Sequence, residues 1–287
     1  MRLRRRRTRT DDERAAVARL LADPLFEVIP LRGVERQVEH LPAGALVSIT
    51  ASPAAGLPAT VELAGELQGR GHRTVPHLAA RMISGWAEVE QVVVRLSDLG
   101  VSRVLVVGGD AEPAGAFTDA LGLLEAMGEI GHPFTEIGIG CYPDGHALIP
   151  DDVLLQALRD KSRMATWMAS QVCFSPGTII DWLVARRREG IRLPIRIGIP
   201  GATHLGRLIR ISTQIGVGRS LSYVTKNTSL VGRLGRPGGY APDALVDDLA
   251  RVVIDPVCGV EGFHIFTFNQ VEETEAWRAS YLEHLGG

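Results

Sequence analysis

The stretch LFEVIPL, residues 25–31, is a short apolar run of strand-forming residues that carries one carboxylate, Glu27. Similar runs recur along the chain at residues 45–52, 73–80, 103–110, 134–142, 165–174, 194–201 and 262–269. Short apolar runs of this kind are typical of parallel strands that are buried on both faces. The sequence therefore predicts a parallel sheet of eight strands, with a carboxyl group near the end of the first one.

Helical patterns separate these runs, so that strands and helices alternate along the chain. They cover residues 12–21, 57–69, 86–99, 117–130, 151–163 and 177–188. Gly100 and Gly190 follow two of them, as C-terminal caps commonly do. Strict alternation implies right-handed parallel crossovers, and eight units in 287 residues fit a closed barrel better than an open doubly wound sheet. We predict a single-domain α/β protein, a (β/α)8 TIM barrel, with an extra N-terminal helix and a helical insertion before strand eight.

Two segments fall outside this repeat, the N-terminus and the connection before strand eight. Six of the first nine residues are arginine, which predicts a disordered basic arm over residues 1–11 and a barrel domain over residues 12–287. Residues 216–255 exceed the length of one crossover and are predicted to hold extra helices, including 241–254. The glycine-rich piece 232–239 is a loop that either closes over a ligand or is a plain surface excursion.

Composition limits the partners and the compartment. The net charge of −2 gives no overall field that favours nucleic acid or membrane, and no apolar run reaches the length of a membrane span. The three cysteines form no Cys-x-x-Cys pair, which fits a reducing cytosol. We expect a cytoplasmic protein with no nucleic-acid or membrane partner, and the sequence leaves its oligomeric state open.

Several predicted strands end in polar residues that would meet at one face of a barrel, where this fold builds its active sites. Besides Glu27 they are Thr50, His77, Asp110, Tyr142, Gln171 and Asn269. Glu27 lies between apolar neighbours, which favours its protonated form and suits general acid catalysis, although a surface salt bridge fits the position equally well. Asp110 follows two glycines that let the backbone approach a flat ligand, or it caps the next helix.

A metal-dependent hydrolase is the rival chemistry for a barrel with polar strand ends. Such a site commonly needs a histidine pair near strand one and further His and Asp ligands on later strands. Here Glu27 stands alone on the first strand, and the chain contains no His-x-His. The sequence therefore predicts no metal site.

Eight short motifs follow one another at strand spacing. They are Phe26-Glu27-Val28-Ile29-Pro30, Ser48-Ile49-Thr50, Pro76-His77-Leu78, Gly109-Asp110, Tyr142-Pro143-Asp144-Gly145-His146, Ser170-Gln171-Val172, Gly198-Ile199-Pro200-Gly201 and His264-Ile265-Phe266-Thr267-Phe268-Asn269. Each motif alone is weak, but the ordered set, which spans residues 25–285, resembles the methylenetetrahydrofolate reductase family. The resemblance implies reduction of 5,10-methylenetetrahydrofolate to 5-methyltetrahydrofolate with NADH or NADPH as the donor.

The resemblance also implies a role for each matched residue. Glu27 matches the proton donor that opens the imidazolidine ring of the folate to an iminium, and Asp110 matches the carboxylate that binds the pterin and favours the cation. Gln171 and Asn269 are expected to bind the substrate. The family's cofactor contacts fall on Thr50, His77, Tyr142, His146 and Lys161.

Three departures from the family pattern concern the flavin. Gly108 stands where flavin-containing members usually carry an arginine, the loop at 111–115 is short, and Arg163-Met164-Ala165 replaces Ala-Gly-Ala. Each change removes a contact or fills space where the tail of FAD would lie. We therefore expect NADH, with NADPH as the alternative, to pass hydride directly to the folate without tightly bound flavin. A conventional FAD-dependent reductase, a deazaflavin-dependent pterin reductase and a non-catalytic folate- or flavin-binding relative are the other interpretations.

Overall fold

Strands and helices alternate through the part of the chain that this computed structural model describes, residues 9–112, 115–204, 206 and 239–286. The strands are β1 (Leu25–Val28), β2 (Leu46–Ile49), β3 (Arg73–Ala79), β4 (Arg103–Val107), β5 (Glu136–Cys141), β6 (Trp167–Ser170), β7 (Ile195–Pro200) and β8 (Val260–Phe266). The helices are α1 (Asp11–Ala22), α2 (Val34–Val38), α3 (Gly56–Gly69), α4 (Trp86–Asp98), α5 (Ala120–Ile130), α6 (Asp151–Lys161), α7 (Pro176–Arg188), α8 (Asp243–Ile254) and α9 (Val271–Gly286). Short 3-10 turns lie at Ala80–Met82 and Pro256–Cys258.

The eight strands close into one barrel. They hydrogen-bond in sequential order, and β8 pairs with β1 to complete the ring. Every neighbouring pair is parallel. The predicted single-domain (β/α)8 TIM barrel with a leading helix is therefore confirmed. None of the described helices is long and apolar enough to cross a lipid bilayer.

Successive residues of each strand face alternately the surrounding helices and the barrel interior. In β1, Phe26 and Val28 pack in the large core between strands and helices, whereas Leu25 belongs to a smaller inner cluster. That inner cluster consists of Leu25, Leu46, Val75, Leu105, Trp167 and Ala169. Because side chains alternate with a period of two, Glu27 faces the same side as Leu25, one layer nearer the C-terminal end. An apolar layer therefore lies beneath Glu27.

Glycines in β5 and β8 make room for two large side chains inside the barrel. A Cβ atom at Gly138 would lie 2.4 Å from the indole ring of Trp167, and one at Gly262 would lie 2.7 Å from the guanidinium of Arg196. The guanidinium of Arg196 stands 5.7 Å from the centroid of the Trp167 ring and also pairs with Glu261. Trp167 and Arg196 therefore occupy space inside the barrel that a side chain at Gly138 or Gly262 would enter.

Helix α1 begins at Asp11, one residue earlier than predicted. Thr10 caps it, because its hydroxyl accepts from the N–H of Glu13 while the Glu13 carboxylate accepts from the N–H of Thr10. Arg9 donates to the Tyr281 hydroxyl at 2.9 Å and lies 3.1 Å from the Asp247 carboxylate. Arg9, which the sequence assigned to the arm, thus contacts α8 and α9, and residues 1–8 lie outside the described residues.

Part of the predicted insertion before β8 is described. Helix α8 corresponds to the helix predicted at residues 241–254, and its buried side includes Leu245, Val246 and Leu249. Residues 216–238, and with them nearly all of the glycine-rich piece 232–239, lie outside the described residues.

The strands are shorter than predicted at their C-terminal ends. Strand β4 ends three residues before Asp110, and β8 ends three residues before Asn269. Gly109 has φ of 81°, and Phe268 and Asn269 both have φ of 54°. Positive φ turns the chain out of the extended conformation, so Asp110 and Asn269 lie on the loops that follow β4 and β8. Glu27 and His77 lie within β1 and β3 instead.

Replacing Gly138 by alanine tests the packing inside the barrel. The new Cβ would overlap the rigid Trp167 ring, and overpacking of this kind costs about 1–3 kcal/mol. We expect the urea midpoint of Gly138→Ala to fall accordingly. Gly177→Ala is the matched control, because a Cβ at that position in α7 meets nothing within 4 Å; it should be as stable as the parent or more so. Equal midpoints for the two variants would contradict the packing described here.

Candidate active site at the C-terminal ends of the strands

A cavity of about 420 Å³ opens among the C-terminal ends of the strands. Seven of the predicted site residues line it: Glu27, Thr50, His77, Asp110, Tyr142, His146 and Gln171. Much of the remaining wall is apolar, with Ile29, Met82, Val107, Phe266 and Phe268 among its members. The volume is within the range of small-molecule pockets, roughly 300–1,000 Å³. One cavity therefore brings together polar groups from strands that are far apart in the sequence.

A compact polar cluster forms the floor of this cavity. Oε2 of Glu27 lies 3.2 Å from Nε2 of His264 and 3.9 Å from Nε2 of His77. The hydroxyl oxygen of Ser48 lies 2.9 Å from the same nitrogen of His264. All four residues are buried, with exposures of 8% for Glu27, 7% for His77, 1% for His264 and 0% for Ser48. The carboxyl group is thus removed from water and surrounded by imidazole and hydroxyl groups.

Strand register explains why these residues meet. Glu27 is directly opposite Ser48 in the β1–β2 ladder, and Leu25 is opposite His264 in the β1–β8 ladder. Since Leu25 and Glu27 face the same side, His264 also faces the barrel interior, and its long side chain reaches the level of Glu27. The Thr267 hydroxyl donates to the backbone carbonyl of Glu27 at 2.5 Å. The cluster therefore depends on the closure of β8 against β1.

Burial keeps His77 neutral. Desolvation lowers the pKa of His77 to about 4; the Glu27 charge opposes this shift, and His264 adds to it. The desolvation of the imidazole outweighs the attraction of a carboxylate that is 3.9 Å away. At neutral pH the contact between His77 and Glu27 is therefore not an ion pair, and the imidazole offers one nitrogen lone pair.

Tyr142, His146 and Asp110 occupy the upper wall. The rings of Tyr142 and His146 meet edge to face with centroids 5.5 Å apart, and Nδ1 of His146 accepts from the N–H of Leu148. Burial, followed by the charges of Cys141 and Asp110, raises the pKa of Tyr142 to about 12. Tyr142 therefore keeps its proton as a hydrogen-bond donor, while Asp110 is exposed at the rim.

Lys161 lies beside this cavity and not in it. It lines a second cavity of about 220 Å³ between α6 and α7, and the two cavities share Gly140, Cys141 and Tyr142 as a common wall. The ammonium of Lys161 is 3.4 Å from the carbonyl oxygen of Gly140, and burial lowers its pKa. A ligand in the central cavity would reach Lys161 only by extending past Tyr142.

Asn269 binds the backbone of β1 instead of lining the cavity. Its Oδ1 accepts from the N–H of Ile29 at 2.8 Å, and its Nδ2 donates to the carbonyl of Ile29 at 2.9 Å. Both ends of the side-chain amide are therefore engaged in holding the chain after β1. This differs from the predicted substrate contact, because the sequence does not reveal that the loop after β8 turns toward Ile29. Gln171 lines the cavity, with its Oε1 accepting from the N–H of Val172.

Two members of the floor, His264 and Ser48, were not predicted as site residues. Both lie inside strands, where an isolated polar residue is easily read as part of a structural pattern. The period-two alternation contained the signal, because Ser48 and His264 occupy inward positions of β2 and β8, opposite Glu27 and Leu25 respectively. The structure brings Glu27, His77 and His264 together as a group that could hold a metal ion, which the sequence did not predict.

Comparisons with known proteins find only distant structural similarity. No protein-family model matches the chain. A complex of the xylanase–α-amylase inhibitor protein with trehalose aligns with a TM-score of 0.49 and 9% identity over 90% of this chain and 98% of that one. A mandelate racemase/muconate lactonizing family protein from Azoarcus aligns with a TM-score of 0.39 and 15% identity over 63% of this chain and 45% of that one. Similarities this low assign no activity, so function must be argued from the site.

Replacing Asn269 by alanine tests whether this residue is structural. The change removes both hydrogen bonds to the partly buried backbone of Ile29, and at about 0.5–1.5 kcal/mol for each hydrogen bond the loss is about 1–3 kcal/mol. We expect urea unfolding to show a loss of this size. Gln156→Ala, on the exposed side of α6, should stay within about 0.5 kcal/mol of the parent. Unchanged stability of Asn269→Ala would return Asn269 to the ligand-binding candidates.

Proposed function

We propose that this chain reduces 5,10-methylenetetrahydrofolate to 5-methyltetrahydrofolate, with hydride passing directly from NADH or NADPH and without tightly bound flavin. One observation carries the proposal: residues from separate family-like motifs converge on one cavity, with Glu27 at its floor and Asp110 at its rim. Motif matches scattered over a barrel surface would not converge in this way. The order of the motifs, their spacing and their common cavity therefore support the same reaction.

Glu27 is the proposed proton donor. The product carries its methyl group on N5 and a proton on N10, so the proton must reach N10 as the bond between N10 and the methylene carbon breaks. This leaves an iminium at N5, and hydride then adds to its carbon. Glu27 is 8% exposed and lines the floor of the cavity, where a bound substrate can reach it. A carboxyl group in this position suits general acid catalysis.

Asp110 and Tyr142 are proposed to act on the bound pterin. A carboxylate near the pterin favours the cationic iminium electrostatically, and Asp110 lines the cavity opposite the floor. Tyr142 stays protonated at neutral pH, so it can donate a hydrogen bond to a ring nitrogen or carbonyl. Gln171, also on the wall, offers an amide for the paired donors and acceptors of the pterin edge.

The described wall of the cavity favours flat rings over phosphates. No lysine or arginine belongs to it among the described residues. The short loop after β4 lies against Arg81, which donates to the carbonyl of Ala111 and pairs with Glu112. A Cβ at Gly115 would lie 2.0 Å from the carbonyl oxygen of Ile83, so a residue with a side chain does not fit at this position of the loop. These features support the stacking of flat rings such as nicotinamide and pterin in the cavity, and the diphosphate of either NADH or FAD would have to lie outside its described wall.

The first test of the proposal is a substitution at the acid. Glu27→Gln keeps the shape of the side chain and removes the ionisable proton, so turnover should fall by roughly 10²–10⁴-fold while folate affinity stays close to that of the parent. The assay is NADH oxidation with methylenetetrahydrofolate, and affinity is measured by calorimetry. Glu125→Gln, an exposed change on α5, is the control and should keep full activity. Parent-like turnover of Glu27→Gln would remove Glu27 from the mechanism.

A second test addresses the flavin. Purified protein without added flavin should oxidise NADH or NADPH only when methylenetetrahydrofolate is present, and adding FAD should not increase the rate. Activity that appears only with FAD would instead establish the conventional flavin-dependent mechanism. Folate binding with no turnover under any of these conditions would indicate a non-catalytic relative, and activity restored by a reduced deazaflavin would indicate that donor.

A further inference from the structure

Three potential metal ligands meet at the cavity floor. One ligand atom each from Glu27, His77 and His264 lies within 4.8 Å of the other two. Their strands, β1, β3 and β8, are held in register by the barrel hydrogen bonds. Two imidazoles and one carboxylate are a ligand set that zinc and related transition metals accept. The cluster is part of the proposed active site, but proton donation by Glu27 accounts for only one of its three members.

The distances fit a tetrahedral ion. Bonds of 2.0–2.1 Å to nitrogen and oxygen ligands place two neighbouring ligand atoms roughly 3.3 Å apart. Oε2 of Glu27 is 3.2 Å from Nε2 of His264 and 3.9 Å from Nε2 of His77. The separation of Glu27 and His77 would have to close by roughly 0.6 Å to reach this value, and the ligand atoms of the two histidines already lie within 4.8 Å of each other. The Ser48 hydroxyl, 2.9 Å from the His264 nitrogen, would have to turn its proton away.

An unpartnered nitrogen is the second, independent observation. Nε2 of His77 is buried and has no hydrogen-bond partner among the described residues. At 3.9 Å it is too far from Glu27 to form a hydrogen bond. Buried polar atoms are nearly always satisfied, so something should lie between the two groups. An ion bound to both atoms would satisfy His77 without moving either strand.

We propose that Glu27, His77 and His264 form a site for one divalent transition-metal ion of the Zn²⁺ class, with its open coordination position toward the cavity. The ion and the acid proton of Glu27 are alternative occupants of the same carboxylate. A metal bound there blocks proton donation, so Zn²⁺ inhibits the reductase in competition with the folate. This last consequence rests on the proposed function, whereas binding of the ion does not.

Cobalt substitution tests the site directly. The folate-free, full-length protein is stripped with chelator and titrated with Co²⁺, whose visible d–d bands are intense in tetrahedral sites and weak in octahedral ones. We expect intense bands that saturate at one ion per chain and disappear on adding Zn²⁺. Glu27→Gln and His77→Gln should each weaken binding by at least about tenfold, the lower end of what loss of even an outer-shell partner costs. His284→Asn, at an exposed histidine on α9, should bind like the parent.

Circular dichroism confirms the fold of each variant, and direct titration of the parent does not depend on the variants. No saturable Co²⁺ band in the parent, or equal binding by parent and both ligand variants, would overturn the proposal and leave water as the occupant. Reductase activity that Zn²⁺ fails to inhibit would overturn the competition. If Co²⁺ binds as expected and folate reduction is never observed, the metal site stands and the proposed reductase fails.

Discussion

Burial of one carboxyl group inside the barrel is the constraint on which the site depends. A carboxyl group surrounded by apolar strands is unfavourable unless neighbouring groups bond to it. Here the layer below Glu27 is hydrocarbon and indole, so its partners must come from the same level of the barrel. Ser48, His77 and His264 occupy that level, each from a different strand. The composition of the floor therefore follows from placing an acid where the surrounding strands leave it little contact with water.

Barrel closure is the second requirement. His264, Thr267 and Asn269 come from the end of the chain and bind groups in or next to β1, and the contacts of Thr267 and Asn269 join residues 240 positions apart. Such contacts form only when β8 pairs with β1, and long-range pairings of this kind form late because their loop-closure entropy is large. The same contacts fix the backbone at the Glu27 carbonyl and at Ile29, two residues further on. The site is therefore complete only when the barrel has closed.

The same geometry explains how much of the fold and of the site could be predicted from the sequence. Apolar runs and helical patterns carry the alternation of β and α, so the barrel could be predicted, and strand-end polar residues from Thr50 to Gln171 could be assigned to one face. His264 could not be linked to Glu27, because the two residues are brought together by the closure of the barrel and the register of β8 against β1, and not by their spacing along the chain. Asn269 was assigned to the substrate because nothing local shows that positive φ at Phe268 and Asn269 turns its amide toward Ile29. Lys161 was predicted to contact the cofactor, but it lines a neighbouring cavity, and Tyr142 is part of the wall between the two cavities.

The floor can serve two chemistries, and they exclude each other for a simple electrostatic reason. A protonated Glu27 is neutral and can give its proton to a substrate, whereas a metal ion requires the carboxylate and takes the lone pairs of both imidazoles. Neutral His77 is compatible with either state, since it neither stabilises the carboxylate by its charge nor repels a cation. The choice between proton and metal therefore depends on the occupant of the open side of the floor.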